Sequence, residues 1–281
     1  MNTPNWIKGI LLASRMPNLF IIGITQWCSA FMLERNGFLP AIGIDVWLLI
    51  VSTMMVAAGG YIINDYYDLK IDLMNRPDKV VVGRDLSRRK ALLTHTGVSV
   101  MAILVGWFVS WQVAAVHLFS VTLLWYYSNY LRRIFMGKTV IAMLTAMSIL
   151  LVGFAFGIVS YHLMAFAAFG AAIVWIREII KDMENAPGET AFGVESVQVV
   201  WGYRGAKTFI GIITIAGCLL MAFFIYKVRT PVFTYYYLAL IPAIILFAVL
   251  LARADRRQHY RRLRHFTNLL ILAGVLSMLI V

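Results

Sequence analysis

The chain has 281 residues, of which 61% are hydrophobic and 14% charged, with a formal net charge of +12. Its mean hydropathy of +0.80 and its apolar share exceed those of a soluble globular domain, where about 45–50% is usual. This excludes a soluble fold carrying a single anchor. The basic excess would suit a nucleic-acid binder, but its placement along the chain excludes that partner, as the span order shows.

Met1 to Ser14 is amphipathic, carries Lys8 and has no small-residue cleavage site. It is expected to be an interfacial helix and not a signal peptide. Nine apolar stretches follow, at 16–34, 44–64, 91–110, 113–131, 139–158, 160–180, 207–226, 232–252 and 265–281. Each suits one crossing at about 20 residues. No Pro/Ser-rich linker separates them, so residues 1–281 are expected to form one domain, an all-α polytopic membrane protein. With the N-terminus in the cytoplasm, Lys and Arg number two in the tail, then seven, three, four and six after the second, fourth, sixth and eighth spans. The opposite side holds only Arg35, Lys227 and Arg229. A split of 22 to 3 is a strong positive-inside signal and accounts for the basic excess without nucleic acid. The Arg253–Arg264 run is expected to be an anchor at anionic headgroups. Cys28 and Cys218 lie in apolar runs and fit small buried hydrophobes.

Ten of the thirteen acidic residues lie in two segments on the cytoplasmic side of this topology. They form the longest polar connections, roughly 65–90 and 181–206. In the first, Asp65, Asp68 and Asp72 stand at i, i+3 and i+7, which on a helix makes one stripe roughly 60° wide. In the second, Asp182, Asn185 and Glu189 repeat that spacing 117 residues later. The four-helix offset hints at an internal duplication. Pro187-Gly188 is expected to break the second helix before Glu189.

Carboxylates at a membrane edge are costly and usually mark a site. Several converging without a cation would repel one another. Mg²⁺ resolves that conflict, because it prefers oxygen ligands and binds through one or two carboxylates plus substrate phosphate oxygens. Arg76, Lys79, Arg84, Arg177 and Lys181 lie close enough in sequence to neutralise phosphate. Acids for metal, bases for phosphate and a lipid-facing body imply a membrane-soluble diphosphate substrate.

Asn64-Asp65-x-x-Asp68-x-x-x-Asp72 with Asn75-Arg76-Pro77 resembles the first aspartate-rich motif of the UbiA superfamily of intramembrane prenyltransferases. Arg15-Met16-Pro17-Asn18 resembles the motif ahead of that family's first span. Tyr127-Ser128-Asn129-Tyr130-Leu131-Arg132-Arg133 resembles the run closing its fourth helix, and the stretch around Asp182 resembles the second aspartate-rich motif. Arg177 to Glu184 is similar to the branch containing digeranylgeranylglyceryl phosphate synthase, while Gly137-Lys138 departs from the family's usual Gly-Asn.

The resemblance implies nine helices around a central cavity open to the bilayer, with Mg²⁺ as cofactor. It implies transfer of an isoprenyl group from a prenyl diphosphate to a lipophilic acceptor. In that branch the acceptor is the hydroxyl of geranylgeranylglyceryl phosphate; an aromatic quinone precursor is the alternative, and a transporter of an anionic lipid or ion is the competing class. By position, Asp65, Asp68 and Asp182 would be catalytic. Asp72, Glu184, Asn185 and Glu189 would complete the metal ligands. Asn18, Asn64 and Tyr127 would join the bases at the diphosphate. Tyr66, Tyr67, Tyr126, Tyr127 and Tyr130 could face a developing allylic cation.

Overall fold

Ten α-helices account for nearly all of the described residues, and no β-strand is among them. The structure, a computed structural model, describes residues 5–35, 37, 43–75 and 77–280. The helices are α1 (Asn5–Ala13), α2 (Met16–Arg35), α3 (Ile44–Asn75), α4 (Arg88–Val109), α5 (Trp111–Asn129), α6 (Thr139–Ala155), α7 (Tyr161–Ala191), α8 (Val197–Val228), α9 (Pro231–Arg253) and α10 (Arg257–Ser277).

Six of these are long and apolar enough to cross a membrane: α2, α3, α4, α8, α9 and the Tyr161–Ala186 part of α7. The other three expected spans fall short for different reasons. Helix α6 has only 17 residues. Helix α5 contains Gln112, His117 and several Trp and Tyr, which lower its hydropathy. Helix α10 opens with Arg257, Arg261, Arg262 and Arg264.

The chain divides into two compact units, Met1–Ala30 with Pro40–Arg132, and Phe31–Leu39 with Arg133–Val281. In the first unit α3 packs on α4 and α5, and α1 lies against α3. Polar ties fix these helices: His95 Nδ1 meets the Gly59 carbonyl at 3.0 Å and His117 Nε2 meets Ser52 Oγ at 2.8 Å. Gly9 lets α1 approach the 85–86 backbone, where an added Cβ would sit 3.1 Å from Leu86 Cβ. Ala13, Ile62, Val82, Leu86 and Ala91 form the small core beneath α1, whose Trp6, Leu11 and Leu12 point outward.

In the second unit α7 packs on α6, α8 and α10. Ile179, Ile180, Met183, Ala206, Ile210 and Leu263 lie in its main apolar cluster.

Two expectations are corrected. The segment after residue 64 is not a loop: α3 runs 32 residues, which at 1.5 Å each is about 48 Å and overshoots a bilayer core of about 30 Å. No Gly or Pro interrupts residues 65–75, so the acidic stripe rides on the helix beyond the apolar span. Likewise Pro187-Gly188 does not break α7, which continues through Glu189 to Ala191. Proline removes the donor to the carbonyl four residues back, here Met183. The Tyr203 hydroxyl donates to that carbonyl instead, at 3.4 Å. Gly202, in left-handed backbone at φ 71°, kinks α8 immediately before Tyr203.

Candidate active site

Each acidic helix carries its stripe as spaced, and each stripe is held by basic side chains from elsewhere in its own unit. On α3, Asp65 accepts a hydrogen bond from Arg15 Nη2 at 2.6 Å. Arg15 joins α1 to α2 in left-handed backbone, φ 52°, a conformation costly for a non-glycine residue and often kept for function. Its guanidinium also lies over the Tyr61 ring, 5.0 Å from the centroid. Burial disfavours its charge, but the Asp65 carboxylate, the Tyr61 and Asp72 groups and the hydrogen bond it donates to Asp65 hold its pKa above the ordinary arginine value. Arg15 therefore stays cationic.

Asp68, one turn on, is buried and paired with Arg132 from the 3-10 turn Leu131–Arg133 that follows α5. Arg15 and Arg132 thus stand on two of the stripe's three carboxylates. Asn64, Asp65 and Asp72 are half-buried, as is Asn18 on α2, whose backbone N–H donates to the Arg15 carbonyl at 2.8 Å. Tyr127 is buried.

The expected phosphate ligands divide. Lys79 is exposed in the 3-10 turn Pro77–Lys79. Arg84 is exposed and turned onto Asp85 at 3.1 Å. Arg76 lies outside the described residues. Of the aromatic candidates, Tyr66 carries Arg88 over its ring at 4.5 Å, and Tyr126 stacks on Tyr130 at 5.7 Å.

On α7 the carboxylates are more deeply buried and more fully paired. Asp182 and Glu189 share Lys138, which stands just before α6. Glu184, 2% exposed, lies between Arg264 Nε at 2.7 Å and Arg261 Nε at 3.2 Å. The two expected phosphate ligands on α7 turn onto Glu178: Arg177 Nη1 at 2.6 Å and Lys181 Nζ at 3.0 Å. Arg177 Nε also donates to Asn268 Oδ1 at 2.6 Å. Asn185 is buried. Four carboxylates here meet five cations. Below them, an apolar cleft lined by Phe169, Ile173, Ile176, Ile213, Leu240 and Phe247 runs along α7.

The model of the UbiA prenyltransferase family matches residues 23–270. The chain belongs to that family. It is therefore an integral membrane protein of the prenyltransferase class. Two curated relatives carry the name digeranylgeranylglyceryl phosphate synthase. The protein of Thermococcus kodakarensis is 27% identical over 278 residues, 97% of either chain. That of Thermococcus sibiricus is 31% identical over 179 residues, so the matched part is 63% of this chain and 63% of the relative. A solved UbiA homolog from Archaeoglobus fulgidus bound to DMAPP and Mg²⁺ is 14% identical and shares the fold, with a TM-score of 0.68 over 97% of this chain and 99% of that one.

The donor set on α3 fits Mg²⁺. It offers only oxygen ligands and includes Asp65, whose side chain is 15% exposed. Among the described residues no three His, Cys, Asp or Glu side chains converge as a ready-made cage. That suits Mg²⁺, which relies on one or two carboxylates and fills its other positions with water and substrate oxygens. The donor set on α7 fits less well, because its carboxylates are already neutralised by the protein.

Site residues that sequence reasoning passed over are the partners of these acids: Arg15, Arg132, Lys138, Arg261 and Arg264. The first two lie in segments that resemble family motifs, and that resemblance was the available signal. Arg261 and Arg264 lie in the run expected to anchor at headgroups and also reach Glu184; their i, i+3 spacing on one helix face is the sequence sign of a shared partner.

Proposed function

We infer that this UbiA-family protein catalyses Mg²⁺-dependent transfer of a geranylgeranyl group from its diphosphate to the hydroxyl of geranylgeranylglyceryl phosphate. The observation that carries the prenyl-transfer reading is the Asp65–Asp68–Asp72 stripe on α3, with Arg15 and Arg132 standing on its carboxylates. The acceptor reading draws on the name of the Thermococcus relatives, one of them aligned over 97% of the chain.

In this reading Asp65, Asp68 and Asp72 hold Mg²⁺, with Asn64 and Asn18 beside them. Mg²⁺ held there would neutralise the diphosphate and stabilise its departure. Arg15 and Arg132, which stand on Asp65 and Asp68, would present their guanidinium forks to phosphate oxygens. Arg76, Lys79 and Arg84 lie in the following segment and add positive charge. Tyr66, Tyr67, Tyr126, Tyr127 and Tyr130 are the candidate aromatic faces for an allylic carbon gaining positive charge. The acceptor oxygen then attacks that carbon, the carbon–oxygen bond to diphosphate breaks, and the hydroxyl proton leaves with the diphosphate. Apolar surroundings of the allylic carbon would exclude water, whose attack would yield only the free alcohol. Nine crossings around a central cavity, a cytoplasmic N-terminus and cytoplasmic acidic segments complete the reading, with residues 1–281 acting as one domain.

The test is the product. Detergent-purified protein is given geranylgeranyl diphosphate, Mg²⁺ and equal amounts of geranylgeranylglyceryl phosphate and an aromatic quinone precursor. Mass spectrometry should find the digeranylgeranylglyceryl phosphate product. A prenylated aromatic ring instead would overturn the acceptor, and no transfer to either would favour the transporter class.

A further inference from the structure

Asp182 and Glu189 stand two turns apart on α7, and both are buried, 3% and 1% exposed. Two carboxylates this dry and this close to one point cannot both stay ionised without a cation between them. The protein supplies that cation. Lys138, itself 8% exposed, contacts Asp182 Oδ1 and lies 3.4 Å from Glu189 Oε1.

The ammonium is delivered by shaped backbone and not by a loose surface stem. Met136 takes a left-handed conformation, φ 60°. The Gly137 N–H returns to the Ile134 carbonyl at 3.1 Å, and the Thr139 N–H returns to the Met136 carbonyl at 3.0 Å. The Glu195 N–H, past the end of α7, donates to the Arg133 carbonyl at 2.8 Å and ties the same segment to the helix it serves.

A divalent ion at this place would share both carboxylates with the Lys138 ammonium that already stands between them. The neighbouring carboxylates cannot replace them: Glu184 is taken by Arg261 and Arg264, and Glu178 by Arg177 and Lys181. Net charge points the same way. The α7 segment is positive with its partners counted, and a dication is repelled by it.

We propose that the Lys138 ammonium takes the place of a metal ion at the second acidic segment, so that the protein binds a single divalent ion, through the α3 stripe. The proposal rests on the Mg²⁺-dependent reading above and narrows it. It also makes a directional claim about Lys138. Removing the ammonium leaves two buried, unpaired carboxylates, which is the donor set that recruits a divalent cation.

Counting ions tests this without turnover. Mn²⁺ replaces Mg²⁺, and geranylgeranyl S-thiolodiphosphate, whose sulfur leaving group resists transfer, replaces the substrate. Free Mn²⁺ is followed by its electron paramagnetic resonance signal during titration of purified protein. The expected count is one ion per chain for the unaltered protein, one for Lys138→Arg, which keeps the charge, and two for Lys138→Ala. Two ions in the unaltered protein would overturn the proposal while leaving metal-dependent prenyl transfer standing. No ion at all would overturn both. A count of one in folded Lys138→Ala would also contradict it, since the vacated carboxylates would then have recruited nothing. Should Lys138→Ala fail to fold, the counts for the unaltered protein and Lys138→Arg still decide.

Discussion

The Tyr203 hydroxyl lies 3.4 Å from the Met183 carbonyl, the acceptor that Pro187 leaves without a backbone donor. Through this contact α8 holds α7 helical across a proline, and Glu189 stays in line with Asp182. Tyr203→Phe should therefore lower stability by about 1 kcal/mol, the net worth of an ordinary hydrogen bond. In a Pro187→Ala background, where the backbone N–H returns, the same change should cost almost nothing. Thermal unfolding of the four variants in detergent checks this; equal losses in both backgrounds would mean that Tyr203 does not substitute for the missing donor.

Glu184 is a brace between α7 and α10. Arg264, with 18% of its side chain exposed, should couple to it strongly, and Arg261, at 52%, weakly. Exposed pairs are worth about 0–1 kcal/mol, while breaking a buried one costs about 3–5 kcal/mol. Double-mutant cycles of Glu184→Gln with Arg264→Gln and with Arg261→Gln, read by unfolding, should give the larger coupling for Arg264. If both arginines act only as lipid anchors, neither cycle shows coupling and the stability loss disappears in zwitterionic detergent.

In the proposed reaction Arg15, which stands on Asp65, would compete with Mg²⁺ for that carboxylate and contact phosphate. A hydrogen bond to a charged group is worth about 1.5–3 kcal/mol, or about 10- to 100-fold in affinity. Arg15→Ala should raise the KM for prenyl diphosphate by about that factor. It should also lower the Mg²⁺ concentration needed for half-maximal rate, because Asp65 is no longer shared. An unchanged KM with a lower melting temperature would reduce Arg15 to a structural pair.

The contrast between the two acidic helices shows what the sequence could reveal. Asp65, Asp68 and Asp72 were legible because helix periodicity alone puts them on one face, and nothing in residues 65–75 interrupts the helix. Glu189 was misjudged because the proline rule is local, whereas the donor that preserves the helix comes from Tyr203, twenty residues from the acceptor. The partners of the second stripe were hidden for the same reason. Lys138 is 44 residues from Asp182, and Arg264 is 80 from Glu184, so only packing brings them together. The one local hint was that a lysine stands at position 138 of a family that usually has asparagine there. Hydropathy located every long helix. Six of the nine expected spans are long and apolar enough to cross a membrane; polar and aromatic residues lower the hydropathy of α5, and four arginines open α10.

The central claim is that the α3 stripe binds the metal that makes the reaction possible. Its most direct test is the rate of Mg²⁺-dependent prenyl transfer by Asp65→Ala and Asp68→Ala, each checked for folding by circular dichroism and gel filtration. Asp68→Ala carries the added control Asp68→Ala/Arg132→Ala, which removes the uncompensated guanidinium. The account predicts that all three are folded and that transfer falls below about one-thousandth of the unaltered rate, the scale lost with one major electrostatic contact to the transition state. Folded variants that retain turnover at saturating Mg²⁺ would contradict it.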